Sequence, residues 1–173
     1  IQNSVLNVSG QEASGIDFEL AYDFDALEGS FATRLIGTYL IERKEFPFQD
    51  EPEEFIEYAG TTGEAEWQAN INIEYSYERF YTSLSTRYIE QVSLYTEQEL
   101  EDNPNPSSLM NYGTYIISDI TVGYNFDNGM GVKLGVDNVF NRELPYGTRG
   151  TGSGSASYDN IGRFGYVNLS YDF

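Results

Sequence analysis

Three observations predict an all-β chain whose antiparallel strands cross a membrane as the wall of a transmembrane β-barrel. Apolar and polar side chains alternate over seven stretches, the connections between them alternate short and long, and aromatics of the apolar parity gather at two heights. A strand sends successive side chains to opposite faces, whereas a helix would scatter the same residues around its circumference. No run approaches the roughly 20 consecutive apolar residues of a membrane helix. Barrel strands need none, because only alternate residues meet lipid.

Taken in order, the first strand sets Ile16, Phe18, Leu20, Tyr22 and Phe24 against Asp17, Glu19, Ala21 and Asp23. The second, from about Phe31 to Ile41, sets Leu35, Tyr39 and Ile41 against Arg34 and Thr38. The third alternates without error: Trp67, Ala69, Ile71, Ile73, Tyr75 and Tyr77 against Glu66, Gln68, Asn70, Asn72, Glu74 and Ser76. The fourth, near Phe80 to Leu94, opposes Leu84, Thr86 and Tyr88 to Ser83, Ser85 and Arg87. The fifth has Ile120, Val122, Tyr124 and Phe126 against Asp119, Thr121 and Asn125, and the sixth has Val132, Leu134 and Val136 against Lys133, Gly135 and Asp137. The seventh ends the chain, with Gly165, Val167, Leu169, Tyr171 and Phe173 on one face and Tyr166, Asn168, Ser170 and Asp172 on the other.

Short polar turns are expected at Asp25–Ser30, Glu78–Arg79 and Asp127–Met130, where Asp127-Asn128-Gly129 offers residues suited to positive φ. Long connections are expected at Lys44–Thr62, Glu97–Tyr112 and Arg142–Asn160, and they hold all five prolines. Short turns on one rim and long loops on the other mark a transmembrane barrel, the long loops lying outside the cell. Tyr22, Phe24, Tyr75, Tyr77, Tyr124, Phe126, Tyr171 and Phe173 fall near the short-turn rim, and Tyr39, Trp67 and Tyr88 nearer the other. Two such girdles are what a lipid-facing surface requires.

Composition removes several functions. With 28 Asp+Glu against 9 Lys+Arg the chain carries a net charge of −19, which disfavours nucleic acid as a partner. It contains no Cys and no His, so disulfides, thiol chemistry, the commonest general base and the commonest metal ligands are missing from this sequence. Carboxylates abound, yet nothing in the sequence sets two of them about 5–9 Å apart across a substrate as a glycosidase needs. No enzyme activity and no cofactor are expected. The stretch Gly150-Thr151-Gly152-Ser153-Gly154-Ser155 lacks the Gly-Lys-Ser/Thr of a phosphate-binding loop and reads as an extracellular loop. The acidic clusters Asp50–Glu54 and Glu97–Asp102 lack a calcium-loop pattern and read as solvated loops. The inward cations Arg34, Arg87 and Lys133 are expected to pair with lumenal carboxylates such as Glu19 and Glu74.

The opening IQNSVLNVSG has neither an initiator Met nor a basic-then-apolar leader, so a mature form or a fragment is expected. Bacterial single-chain barrels have even strand counts. Seven strands therefore leave two readings: residues 1–9 supply a short eighth strand of a complete small barrel with a structural or adhesive role, or the chain belongs to something larger.

Three segments bear on that choice. Gly135–Tyr146, GVDNVFNRELPY, resembles the penultimate-strand motif of TonB-dependent outer-membrane receptors, with Val139 for the usual Leu and Asn141 for the usual Asp. The ending YDNIGRFGYVNLSYDF resembles the last strand of that family, and NVSGQEASGIDFEL resembles an earlier strand of it, with Asp17 for the usual Glu. The resemblance implies that residues 1–173 are the carboxy-terminal part of a 22-stranded barrel domain, without its plug and earlier strands. It also implies TonB-dependent uptake of a scarce nutrient (ferric siderophore, cobalamin or oligosaccharide) across the bacterial outer membrane. The implied partners are outer-membrane lipid and lipopolysaccharide, the barrel-assembly machinery, the TonB complex acting through the plug region, and a small-molecule or oligosaccharide ligand. In that family the last strand is the assembly signal, which here falls on Gly165, Val167, Leu169, Tyr171 and Phe173. Arg142, Tyr146 and Arg149 are the ligand-facing loop candidates, on position alone. The scarcity of cations weighs against this segment clamping an anionic siderophore and leaves a neutral oligosaccharide open.

Overall fold

The computed structural model describes residues 10–48, 51, 53–145, 158 and 161–172. Its elements in chain order are β1 (Gly10–Ala26), β2 (Gly29–Phe46), β3 (Ile56–Glu57), β4 (Trp67–Tyr77), β5 (Phe80–Ile89), β6 (Val92–Ser93), α1 (Glu97–Asp102), β7 (Asn111–Tyr112), β8 (Tyr115–Asn125), β9 (Met130–Asp137) and β10 (Phe164–Tyr171). Seven long strands form an antiparallel meander in the order β1-β2-β4-β5-β8-β9-β10, with β3 beside the far end of β2 and β6–β7 as a separate small sheet. The sheet is open, with β1 and β10 at its two edges. An eighth strand from residues 1–9 lies outside the described residues.

Register carries the predicted parities across the whole sheet. Leu20 faces Leu35, Leu35 faces Ile71, Ile73 faces Leu84, Leu84 faces Ile120, Val122 faces Leu134, and Leu134 faces Val167, all on one face. That face is apolar and open. Leu20 is 63% exposed, Val167 65% and Leu169 70%, far more than any globular core tolerates. The opposite face holds Asp17, Glu19, Arg34, Asn72, Glu74, Ser83 and Thr121 in hydrogen bonds: across strands, Arg34 Nε to Glu19 Oε1 at 2.8 Å, Thr38 Oγ1 to Asp17 Oδ1 at 2.7 Å and the Ser83 and Thr121 hydroxyls at 2.7 Å, and along β4, Asn72 Nδ2 to Glu74 Oε1 at 2.8 Å. The expected pairing of Arg34 with Glu19 is present, whereas Arg87 and Lys133, expected to pair likewise, form no ion pair among the described residues.

Three hydroxyls on the apolar face are satisfied without water. Thr86 and Ser118 bond each other at 2.9 Å, and Thr82 Oγ1 donates to the Thr121 carbonyl at 2.7 Å. In lipid an unpaired polar group costs several kcal/mol, so such closed pairs suit this face.

The aromatics form two belts. Tyr22, Phe24, Phe31, Tyr75 and Phe80 contact one another in series across β1, β2, β4 and β5, with ring centroids 4.7–6.4 Å apart. At the other end Trp67 stacks on Tyr39 at 4.5 Å and meets Phe18 edge-on at 6.5 Å. From Trp67 to Tyr75 the strand rises about 26 Å. A barrel tilt of about 35–45° brings that to roughly 20 Å, near the height of a lipid-facing band.

The connections sort as expected: two-residue turns join β1 to β2 and β4 to β5, a four-residue turn joins β8 to β9, and the long connections share the opposite rim. Leu27 and Glu28 take φ of 53° and 65° in the first turn, the geometry of a hairpin turn usually given to Asn-Gly. The Tyr75 hydroxyl holds it by donating to the Leu27 carbonyl at 2.8 Å. In the β8–β9 turn only Gly129 (φ 82°) has positive φ, so Asp127 and Asn128 do not take the role expected of them. A Cβ at Gly129 would press on the Asp172 carbonyl, 2.6 Å away.

Boundaries moved in three places. The β1–β2 hairpin runs further, to Gly10 and Phe46, because cross-strand pairing continues past the Trp67 belt. A bulge opposite Ser14/Gly15 inserts Ile41 as an extra residue, so Glu42 and Lys44 continue the face that carries Tyr39. Ile41 was expected on the apolar face with Leu35 and Tyr39. β5 ends at Ile89 rather than near Leu94, since the chain turns away to pair Ser93 with Thr61.

Candidate functional site

At the long-connection rim the inner face changes character. Ile89, Ile117 and Tyr115 share the parity of Arg87, Asp119 and Thr121, yet they do not extend that polar face. Instead they form a small core with Ala65, Val92, Tyr112 and Tyr158. The cause lies in the 90–114 connection. Thr62 N donates to the Ser93 carbonyl at 3.0 Å and Ser93 N to the Gly60 carbonyl at 2.8 Å, while β6 pairs with β7, laying Val92 and Tyr112 over Ile89. Glu97–Asp102 is not an open loop but a short helix. Thr96 caps it, with Thr96 N donating to Glu99 Oε2 at 2.8 Å and Glu99 N to Thr96 Oγ1 at 3.3 Å.

Three tyrosines define the middle of this region. Tyr115, 1% exposed, meets Tyr158 edge-on at 5.0 Å, and Tyr158 meets Tyr112 edge-on at 6.4 Å. Burial, followed by the neighbouring Tyr112 and Tyr115 phenols, pushes the Tyr158 phenol up from its ordinary range. Tyr158 is therefore a neutral ring and hydroxyl at physiological pH, not a phenolate ligand.

Asn138 and Arg142 complete the geometry. Asn138 is 2% exposed and sits at φ 51°, a conformation Asn tolerates better than most residues. Its backbone N–H donates to Asp119 Oδ1 at 2.7 Å, its Nδ2 donates to the Arg142 carbonyl at 2.9 Å, and its Oδ1 accepts from Arg142 N at 2.7 Å. The Arg142 guanidinium donates to the Thr114 carbonyl at 3.0 Å and lies 6.0 Å from the Tyr115 ring centroid. Arg142 therefore reaches the rim with protein contacts already made. Tyr146 and Arg149, named with it, lie outside the described residues.

Sequence reasoning named Asn138 only as part of the Gly135–Tyr146 motif, with no role of its own, and did not single out Tyr112, Tyr115 or Tyr158. Beside that motif, Asn138 carried a second usable signal, an Asn at the exit of a strand where positive φ is common. Gly165, Val167, Leu169 and Tyr171 lie on β10 with the lipid-facing parity, and Phe173 lies outside the described residues.

Two hollows lie elsewhere on the wall. One of about 490 Å³ lies beside the far end of β2 and α1, among Lys44, Phe55, Glu57, Tyr95 and Gln98. Lys44 Nζ sits 4.7 Å from the Phe55 ring centroid and 2.8 Å from Glu42 Oε1. The other, of about 460 Å³, opens toward the short-turn end and includes the inner-face groups Asp23, Glu74, Tyr81, Ser83, Thr121 and Lys133.

An open antiparallel wall, apolar between aromatic belts on one face and polar on the other, defines a membrane β-barrel protein. Residues 2–139 match the family described as TonB dependent receptor-like, beta-barrel, and the chain belongs to that family, integral to the bacterial outer membrane. It is also 28% identical over 149 residues to the ferric enterobactin receptor PirA of Pseudomonas aeruginosa, an alignment covering 83% of this chain and 18% of that receptor. The chain thus spans under a fifth of the length of this curated relative. No solved structure gives a significant match. The family is one of receptors and transporters, not of enzymes.

Proposed function

We propose that this chain is the carboxy-terminal part of the barrel domain of a receptor that imports a scarce nutrient in a TonB-dependent manner, a ferric siderophore in the first instance. The observation that carries the reading is the division of the sheet into a belted apolar outer face and a hydrogen-bonded polar inner face. Membership of the receptor family and similarity to a ferric enterobactin receptor support it. On this reading β1 and β10 pair with further strands of a larger barrel, since an open strand edge cannot sit in lipid. The polar hollow around Glu74 and Lys133 receives the plug, through which TonB acts. The long-connection rim, with Arg142, Tyr146 and Arg149, faces the ligand. Outer-membrane lipid and lipopolysaccharide surround the wall, and the barrel-assembly machinery reads the strand ending in Phe173.

The test is uptake of radiolabelled ferric siderophores by cells carrying or lacking the gene, in backgrounds with and without TonB. Uptake that needs both supports the proposal. Uptake indifferent to the gene for every ferric siderophore tried, with cobalamin or an oligosaccharide imported instead, would change the substrate class. Deleting Phe173 is expected to lower the amount of folded receptor in the outer membrane, read by heat-modifiable migration, more than it alters the affinity of the receptor that does assemble.

A further inference from the structure

The 90–114 and 138–163 connections are separate in sequence, yet the contacts around Tyr115 join them. From the 138–163 connection, Arg142 approaches the Tyr115 ring at 6.0 Å and donates to the Thr114 carbonyl at 3.0 Å, while Tyr158 packs edge-on against the same ring at 5.0 Å. From the 90–114 connection come Thr114 itself and Tyr112, which contacts Tyr158 at 6.4 Å. Arg142 is aimed by Asn138, whose side chain bonds both the N–H and the carbonyl of Arg142, and whose own N–H is held by Asp119 of β8. A side-chain amide that grips both backbone groups of one residue fixes that residue's orientation more tightly than a single bond would. An arginine flat donor set beside an aromatic ring adds a second, directional contact.

We propose that Asn138 is a positioning residue that, by aiming Arg142 at Tyr115, ties residues 138–145 to the 90–114 connection at the long-connection rim. Asn138 acts through Arg142; it does not face the ligand. Residues 138–145 and the 90–114 connection then present a single surface to whatever enters the mouth. The tie itself does not depend on the uptake reading, and only its consequence for ligand binding rests on that reading.

The test measures the tie directly, in the full-length receptor in outer membranes. Spin labels are placed at S108C and E143C, both exposed positions in a chain segment that contains no native cysteine. The unmodified background should give one narrow distance population. N138G keeps a residue at ease with positive φ but removes the side chain, and R142A removes the guanidinium while leaving the turn intact. Both should broaden or split the distribution. R142K, which retains a donor but not the flat guanidinium, should fall between. The double variant N138G/R142A should broaden it no further than the wider single one, because both changes break one connection. A distribution for R142A that superimposes on the background overturns the proposal, as does simple addition of the two effects in the double variant. If N138G fails to assemble, R142A and R142K decide the matter alone. Ferric siderophore uptake is measured in parallel: a lost tie with unaltered uptake leaves the proposal standing and counts against the receptor reading of the mouth.

Discussion

Single side chains on β4 test the assignment of faces most sharply. Ile71 lies between Leu35 and Thr86 on the outer face, while Asn72 lies between Arg34 and Ser85 on the inner one. Ile71→Arg is expected to destabilise the folded receptor by about 2–4 kcal/mol near the bilayer midplane, and Asn72→Arg by much less. Reversible urea unfolding in lipid vesicles gives both values, and equal losses would contradict the orientation. The Thr86–Ser118 pair provides a subtler check, since each hydroxyl is the other's partner at 2.9 Å. Thr86→Val should cost about 1–3 kcal/mol by orphaning the Ser118 hydroxyl, whereas adding Ser118→Ala should restore most of the loss. A double variant as unstable as the single one would show that the hydroxyls are not paired. Glycine has a particular task at Gly123 and Gly135. Tyr81 and Tyr166 lie directly across the ladder from them, and an added Cβ would collide with either ring.

Among the elements, the β1–β2 hairpin shows how a local irregularity sets a boundary. Its bulge stands just beyond Tyr39 and hands the outer face from aromatic to charged residues, Glu42 and Lys44, where the strands leave the apolar band. Glu42's carboxyl is held below its ordinary value of 4.5 by its hydrogen bond to Lys44, and Lys44's amine is held above its ordinary 10.5 by its bond to Glu42. The signs are opposite. The Glu42 contribution is complete above pH 4.5 and fades as pH falls through the lowered value; the Lys44 contribution is complete below pH 10.5 and fades as pH rises through the raised one. Amide exchange protection across the far end of the hairpin, corrected for intrinsic rate, should therefore fall on acidification toward pH 3 (taken as well below the ordinary 4.5) and change little between neutrality and pH 9. Lys44→Met should flatten the acid limb. Persistence of that limb in the variant would assign it to other carboxylates. Glu42 is half-exposed and Lys44 partly covered, so solvent screens the pair and the effect is a local one.

The whole molecule has two unlike rims, and its topology follows from them. The connections 47–66, 90–114 and 138–163 share one rim and are expected at the cell surface; the turns at 27–28, 78–79 and 126–129 share the other and are expected in the periplasm. Cysteines introduced at Glu53, Ser108 and Glu143 should react with a membrane-impermeant maleimide on intact cells, and one at Asn128 should react only after the outer membrane is opened. Labelling of Asn128 on intact cells would invert the molecule. The acidic short-turn rim is tied internally by an ion pair between Arg79 and Asp127 and by Asn125 N donating to the Arg79 carbonyl at 2.9 Å, which links the β4–β5 and β8–β9 turns.

The sequence by itself determined the strands and their faces, because a period of two is a local property. The run from Trp67 to Tyr77 can alternate without error only as a strand, and its neighbours inherit that sorting through the ladder. Short turns and the two aromatic heights were legible for the same reason. Tertiary structure decided whatever depends on a partner far along the chain. Ile41 became the bulge residue because Ser14 pairs with Glu42. Ile117 and Tyr115 were buried, not lumenal, because the 90–114 connection and Tyr158 fold over them. Arg142 was legible as a cation on a long loop, but its engagement with Thr114 and Tyr115 required the Asn138 grip to bring together residues 28 positions apart. Alternation reports which way a side chain points; only the folded chain supplies what stands there to meet it.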